Sequence, residues 1–316
     1  MARIENSKVT VVGAGSVGAS TAYASLIRGS ARHLALYDIN GERAEAEALD
    51  LAHGAMFTGS SNILGGSDLS IVEGSHVVVV TAGAKQEPGQ TRLELIGTNA
   101  RIFERMIPQL VEAAPDAVFV VVTNPCDVLT MLAQRNTGLP PERVFASGTV
   151  LDTSRLRWKL ADRMGVAPRS VHAHIVGEHG DTEFALWSSA TVGSVPLQDW
   201  RFGDRAPITR TEMDEITHEV RTAAYRIIRG KGATNHAIGL SATRIVEAIL
   251  RDEHAVLPVS TVLENFHGLD GVALSVPSIV NSAGAFPIRE THFDDDERRL
   301  LHASADAFTQ VATAVS

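Results

Sequence analysis

Cysteine is nearly missing from this chain: Cys126 is the only one in 316 residues. A single thiol cannot close an internal disulfide, and it speaks against metal sites built on several thiolates. Long apolar runs are missing as well. No stretch reaches the ~18 consecutive apolar residues of a membrane-spanning helix, and the start, Met1-Ala2-Arg3-Ile4-Glu5-Asn6, has no apolar signal region. The expected compartment is therefore cytoplasmic, with no membrane partner. A basic surplus is absent too. The 28 Lys and Arg residues stand against 37 Asp and Glu, a formal net charge of −9, so nucleic acid, whose phosphates call for a basic face, is not an expected partner. Any phosphate must be held locally.

The chain is long enough for two domains at the usual ~100–200 residues each. Its first half reads as alternating strands and helices. Lys8-Val9-Thr10-Val11-Val12 runs straight into Gly13-Ala14-Gly15-Ser16-Val17-Gly18, and Ala19 to Ile27 reads as helix. This is the strand, glycine turn and helix that a dinucleotide fingerprint requires. Gly13 permits the tight turn, Gly15 lets backbone approach a pyrophosphate, and Gly18 allows the helix to pack on the strand. The next strand, His33 to Tyr37, ends in Asp38, twenty residues past Gly18. A carboxylate there accepts hydrogen bonds from an adenosine ribose and repels a 2′-phosphate, which favours NAD over NADP.

Further along, Gly41 to Gly54 reads as helix and Asp68 to Val72 as a brief strand. His76 to Gly83 is apolar without alternation, as in a strand covered on both faces. It leads into Ala84-Lys85-Gln86-Glu87-Pro88-Gly89-Gln90-Thr91-Arg92, a polar loop at the carboxyl end of a buried strand, where a lid over the ligand crevice would lie; the alternative is a plain connector. A helix follows from about Leu93 to Ala113. The strand Ala117 to Thr123 delivers Asn124-Pro125-Cys126 to the same crevice, with Cys126 a small buried residue opening a helix.

After Gly148 the pattern becomes mixed α/β, which places a division near residue 149. Residues 1–149 form the expected dinucleotide-binding unit and 150–316 an expected substrate-binding unit. A helix begins at Leu151, with Asp152 and Arg155 three apart on one face. Val171 to Val176 reads as one strand delivering Gly177-Glu178-His179-Gly180-Asp181. His179 is the candidate for proton chemistry, because imidazole titrates nearest neutral pH and a glycine-flanked ring can point into a cleft. His172 and His174 alternate along the same strand with no third ligand in view, so no metal is expected. Strands over Thr182 to Ala190 and Val192 to Leu197, helices from Thr209 to Arg229 and from Gly232 to about Leu250, a hairpin of Ala255 to Leu263 with Gly271 to Val280, and a helix from Asp294 to Val315 complete the expectation. The fold class is a Rossmann-type doubly wound parallel sheet followed by a mixed α/β domain.

GAGSVG, Asp38, KQEPGQTR, TNP, LDTSR and GEHGD stand in the order and spacing of the L-lactate/L-malate dehydrogenase family, and the chain resembles its bacterial lactate-type members over nearly its whole length. The resemblance implies NAD as cofactor, with Gly13, Gly15, Val17, Gly18, Asp38, Asn124 and Ile238 around it. It also implies His179 as general acid and base, Asp152 as the carboxylate bonded to it, and Arg92 as the lid cation that polarises the substrate carbonyl. Arg155 would grip the substrate carboxylate through its flat guanidinium fork. Asn124 would help orient the carbonyl, and Thr234 would line the pocket. Gln86, six residues before Arg92, stands where malate-specific relatives carry a second arginine, so pyruvate and lactate are the implied substrates. L-malate dehydrogenase or a broader 2-oxo acid reductase is the alternative. A metal-using NAD-dependent glycosidase and a non-catalytic NAD-binding protein are more remote ones. Arg157 and His172 match positions that bind the effector fructose 1,6-bisphosphate in bacterial relatives, with a subunit-contact pair as the alternative, and the family implies a homotetramer.

Overall fold

The structure, a computed structural model, describes residues 4–59, 61–84 and 92–314, with the backbone alone for Arg92 and Leu93. The chain first builds β1 (Lys8–Val12), α1 (Ser16–Arg28), β2 (His33–Tyr37), α2 (Gly41–His53), β3 (Asn62–Gly66) and β4 (Val77–Val80). Then come α3 (Arg92–Ala113), β5 (Val118–Val121), α4 (Cys126–Thr137) and β6 (Val144–Ala146). These six strands are all parallel, in the spatial order β3-β2-β1-β4-β5-β6. The order reverses between β1 and β4, and a doubly wound sheet opens its ligand crevice at that reversal, beyond the carboxyl ends of the strands.

The apolar runs explain the layering. In β4, Val78 and Val80 join a core with Phe103 and Ile107 of α3 and Leu129 of α4. Val77 and Val79 join another with Ala22 and Leu26 of α1. A strand buried on both faces has no solvent side to reward alternation with polar residues, hence the unbroken valines.

The second half contributes α5 (Val150–Met164), the short strands β7 (Val171–His172), β8 (Ile175–Val176), β9 (Phe184–Ala185), β10 (Thr191–Val192) and β11 (Val195–Pro196), and the helices α6 (Arg210–Lys231) and α7 (His236–Leu250). It closes with β12 (Ala255–Val262), β13 (Ala273–Asn281), β14 (Gly284–Pro287) and α8 (Asp295–Thr313). β12 to β14 form an antiparallel meander that adds to the edge of β6 through Ser260 and Ala146, so one nine-stranded sheet runs across residue 149. α7 crosses back onto α1 so closely that a Cβ on Gly239 would stand 2.7 Å from the Ser20 backbone.

Several expectations need correction. Asp68 to Val72 is no strand: Leu69–Val72 is a 3-10 turn capped by Asp68, whose carboxylate accepts from Ser70 N at 2.8 Å. The sheet's edge strand is instead Asn62–Gly66, where two glycines masked the strand character. Val171 to Val176 is broken at Ala173 and His174, and its two ends join separate small sheets. The strands expected over Thr182 to Leu197 shrink to two-residue pairs. Among the described residues no helix is long and apolar enough to cross a membrane.

Candidate active site

The glycine turn is built as its spacing requires. Gly13 adopts φ 103°, and a Cβ there would lie 2.7 Å from Ala82 N; one on Gly18 would lie 1.8 Å from Gly13 O. Both glycines are demanded by the protein itself. Gly15 differs, because a Cβ on it would meet nothing within 4 Å. The space it leaves is outside the fold, at an α1 N-terminus that has neither a side-chain cap nor an acidic residue in its first turn. Uncapped amide donors beside open space suit a diphosphate. Asp38 is fixed at the end of β2 by accepting from Ala14 N at 2.7 Å and Asn40 N at 2.9 Å, and its remaining lone pairs can take ribose hydroxyls. Val17 and Ile238 pack against the same core from α1 and α7. These residues fit NAD.

At the exits of β4 and β5 one side chain ties the crevice together. Asn99 of α3 accepts from Ala84 N at 2.7 Å and donates to Asn124 O at 3.2 Å. The Asn124–Pro125 peptide is cis, and Asn124 itself is exposed. Gln86 and the rest of residues 85–91 lie outside the described residues. Arg92 starts α3, but its side chain lies outside them as well.

His179 is held by three consecutive anchors from three elements. Gly177, at φ 94°, exchanges backbone hydrogen bonds with Ser275 of β13 (2.9 Å each way). Glu178 N donates to Ser304 Oγ of α8 at 2.7 Å, and His179 N donates to Asp127 Oδ2 of α4 at 2.8 Å. The start of α5 is latched to β8, the strand that leads into His179. Thr149 Oγ1 donates to Ile175 O at 2.5 Å, and Thr153 Oγ1 accepts from Ile175 N at 2.8 Å. That latch sets Asp152, in the first turn of α5 where a carboxylate is favoured, against the imidazole.

His179 Nδ1 donates to Asp152 Oδ2 at 2.8 Å, and Arg155 Nη1 donates to Asp152 Oδ1 at 2.5 Å. The carboxylate is thus shared between two cations. It is 2 % exposed, against 27 % for the His179 side chain, which is open to an incoming molecule. Burial opposes the charged imidazolium, but the charge and hydrogen bond of Asp152, with Glu183 and Asp127 behind it, lift His179 to about 9. Burial also opposes ionisation of Asp152; His179 and Arg155 outweigh it and hold the carboxyl below its ordinary value. The arrangement keeps a proton ready on the ring, orients the ring, and leaves Arg155 with further donors.

Two acids here escaped the sequence reading. Asp127 is fully buried against the His179 backbone, and burial pushes it up to about 6. Glu183 is 2 % exposed, with Oε2 3.9 Å from His179 Nδ1. Their signals were an acid one residue into the helix after TNP and an acid directly before the apolar run Phe184-Ala185-Leu186-Trp187. Asp152, His179 and Glu183 offer ligand atoms within 4.8 Å of one another, but a cation could use the imidazole Nδ1 only by breaking its hydrogen bond to Asp152.

Other expected residues stand apart. Thr234, half-buried, and Ile238 flank the start of α7. Arg157 is turned inward, donating from Nε to Ala173 O at 2.9 Å and from Nη2 to His174 Nε2 at 3.0 Å. Burial and that guanidinium push His174 down to about 4, which keeps it an acceptor. His172 is exposed on β7. Cys126 is buried in the first turn of α4, and burial with the nearby Asp127 and Asp152 charges drives its thiol well above the ordinary value.

A dinucleotide crevice opening beside a carboxylate-held imidazole defines an NAD-dependent dehydrogenase. Residues 7–146 match the family model for the lactate/malate dehydrogenase NAD binding domain, and residues 149–315 match that for the lactate/malate dehydrogenase alpha/beta C-terminal domain. The chain belongs to the lactate/malate dehydrogenase family, and its cofactor is NAD. It is 44 % identical over 310 residues to an L-lactate dehydrogenase of Bifidobacterium animalis subsp. lactis, covering 98 % of this chain and 97 % of the relative. It is 46 % identical over 300 residues to one from Kosmotoga olearia, covering 94 % and 93 %. Among solved structures, the minor L-lactate dehydrogenase from Enterococcus mundtii in a ligands-bound form superposes with a TM-score of 0.94 at 40 % identity, over 98 % of this chain and 99 % of that one.

Proposed function

We propose that the chain is an L-lactate dehydrogenase that interconverts pyruvate and L-lactate, with His179 moving the proton. NADH, when bound, supplies the hydride. His179 gives its ring proton to the substrate oxygen as the carbonyl is reduced and takes it back in the reverse direction. Asp152 holds the ring's orientation and tautomer and balances the imidazolium charge. Arg155 grips the substrate carboxylate through the donors not used on Asp152, and Arg92 steadies charge developing on the carbonyl oxygen. Asn124 and Thr234 orient and enclose the small substrate. The observation that carries the reading is the chain of hydrogen bonds from Arg155 through Asp152 to His179, which sets a cation for the acid group beside a proton donor for the carbonyl.

Gln86 sets the choice of substrate: a neutral amide leaves the second carboxylate of oxaloacetate unpaired in a closing pocket. An uncompensated buried charge costs several kcal/mol, about a thousandfold in discrimination. The test is NADH consumption with pyruvate and with oxaloacetate. Preference for pyruvate by about that factor is expected; preference for oxaloacetate, or turnover of neither, would sink the reading.

A division near residue 149 into coenzyme-binding and substrate-binding units, a homotetramer and a cytoplasmic location belong to the proposal. So does a fructose 1,6-bisphosphate response through Arg157 and His172, for which Arg157 must first leave Ala173 and His174. Repeating the assay with the sugar bisphosphate tests the effector response, and measuring mass in solution tests the tetramer.

A further inference from the structure

The proton-transfer site contains a buried carboxyl that the mechanism above does not use. Glu183 sits four residues beyond His179, just before β9, with its Oε2 3.9 Å from the same ring nitrogen that bonds Asp152. Its Oε1 is buried without a hydrogen-bond partner. Its backbone is pinned from two sides. Glu183 N donates to Gly180 O at 3.4 Å, and Glu183 O accepts from Arg221 Nη2 of α6 at 2.7 Å. The main chain at Glu183 is therefore fixed, and the side chain it carries is buried beside the histidine.

An ionised carboxylate in that position would face Asp152 of α5, a like charge, and would leave one oxygen unsatisfied. Both are costly for a buried group. Three cations oppose that cost: His179, Arg155 of α5 and Arg221 of α6. The remaining acid bearing on His179 is Asp127 of α4, which itself faces Glu178. Glu183 is thus poised between a neutral and a charged form, with the outcome tied to the charge on the imidazole.

Building on the lactate dehydrogenase reading, we propose that Glu183 is a positioning residue for proton transfer: a carboxyl that rests protonated beside the Asp152–His179 pair and, by ionising, keeps the imidazole protonated in alkaline solution. Burial and the Asp152 charge, which push Glu183 up to about 8, agree with this. The two groups titrate as a pair, so the enzyme keeps its proton donor over a wider range than one acid alone could provide.

The test has two arms, both on the full-length enzyme. In the first, E183Q, which is neutral at every pH, is compared with the parent by the pH dependence of kcat/KM for pyruvate. Its alkaline midpoint should lie about one pH unit lower, the smaller end of the effect of a neighbouring charge, so that the deficit grows with pH and approaches tenfold above both midpoints. E183D, which restores an ionisable group, should recover part of the shift. In the second arm, the parent with carboxyl-13C glutamate and bound NADH is titrated by NMR, and one glutamate carboxyl should still be titrating above pH 7. An unchanged midpoint in E183Q, or no glutamate titrating there, would overturn the proposal. A parent that titrates as expected but does not oxidise NADH with pyruvate would refute the lactate dehydrogenase reading instead.

Discussion

At the scale of single residues, the site turns on where one proton rests. Because His179 is lifted to about 9, pyruvate reduction, which needs the charged ring, should hold through neutral pH and fall as pH rises through that value. Lactate oxidation needs the neutral ring and should climb over the same range. Steady-state rates in the two directions check both limbs; a reduction limb falling near pH 6.5 would mean that Asp152 does not act on the ring. Replacing the histidine separates chemistry from binding. His179→Asn should lower kcat by about a thousandfold or more, since a general acid is worth roughly 10²–10⁴, while NADH still binds, as fluorescence titration would report. Gln86→Arg should move preference from pyruvate toward oxaloacetate by about two to three orders of magnitude, read from the ratio of kcat/KM values.

At the scale of elements, the glycine turn offers a contrast between what the fold needs and what the coenzyme needs. Gly15→Ala meets no protein atom, so stability should change by less than about 1 kcal/mol, whereas NADH affinity should drop at least tenfold. Gly18→Ala drives a Cβ into Gly13 O and should lower the melting temperature as well as the affinity. Calorimetry beside NADH titration distinguishes them, and equal effects from the two variants would show that Gly15 does not face the diphosphate. The latch on α5 can be probed through Thr153→Val. It leaves Ile175 N unpaired in the core, at about 1–3 kcal/mol, and loosens Asp152 against His179, so kcat should fall with stability.

These elements also show what was legible beforehand. β1, β4 and β5 were plain because a strand buried on both faces must be apolar throughout, and α1 because its glycines have no other use. His179, Asp152 and Arg155 were found through motif order. What brings them together, however, is Thr149 and Thr153 on Ile175, and Ser304 and Asp127 on the loop, contacts between residues distant in sequence with no local pattern. β8 and β9 are two residues each, too short to hold any periodicity. β3 was hidden by its glycines, and Asp68 capped a turn that apolar residues alone had made resemble a strand. Glu183 was passed over because an acid near an apolar stretch reads as an exposed position until the fold covers it.

At the scale of the whole molecule, the two halves share a sheet. β6 pairs with β5 on one side and with β12 on the other, and α7 seats against α1 across the same boundary. The full chain should therefore unfold in one transition by calorimetry. Residues 1–149 expressed alone should expose the free edge of β6 and the bared face of α1, and aggregate. Two well-separated transitions, or a soluble and monomeric fragment, would contradict that coupling.

The lone thiol has a practical corollary. Cys126 is sealed in the first turn of α4 and resists ionisation, and the thiolate is the form that reacts with electrophiles and peroxide. The natural enzyme therefore offers a silent background for maleimide chemistry. One cysteine engineered onto the exposed side of α6 would take a single fluorophore, reporting on that helix without the native thiol having to be removed.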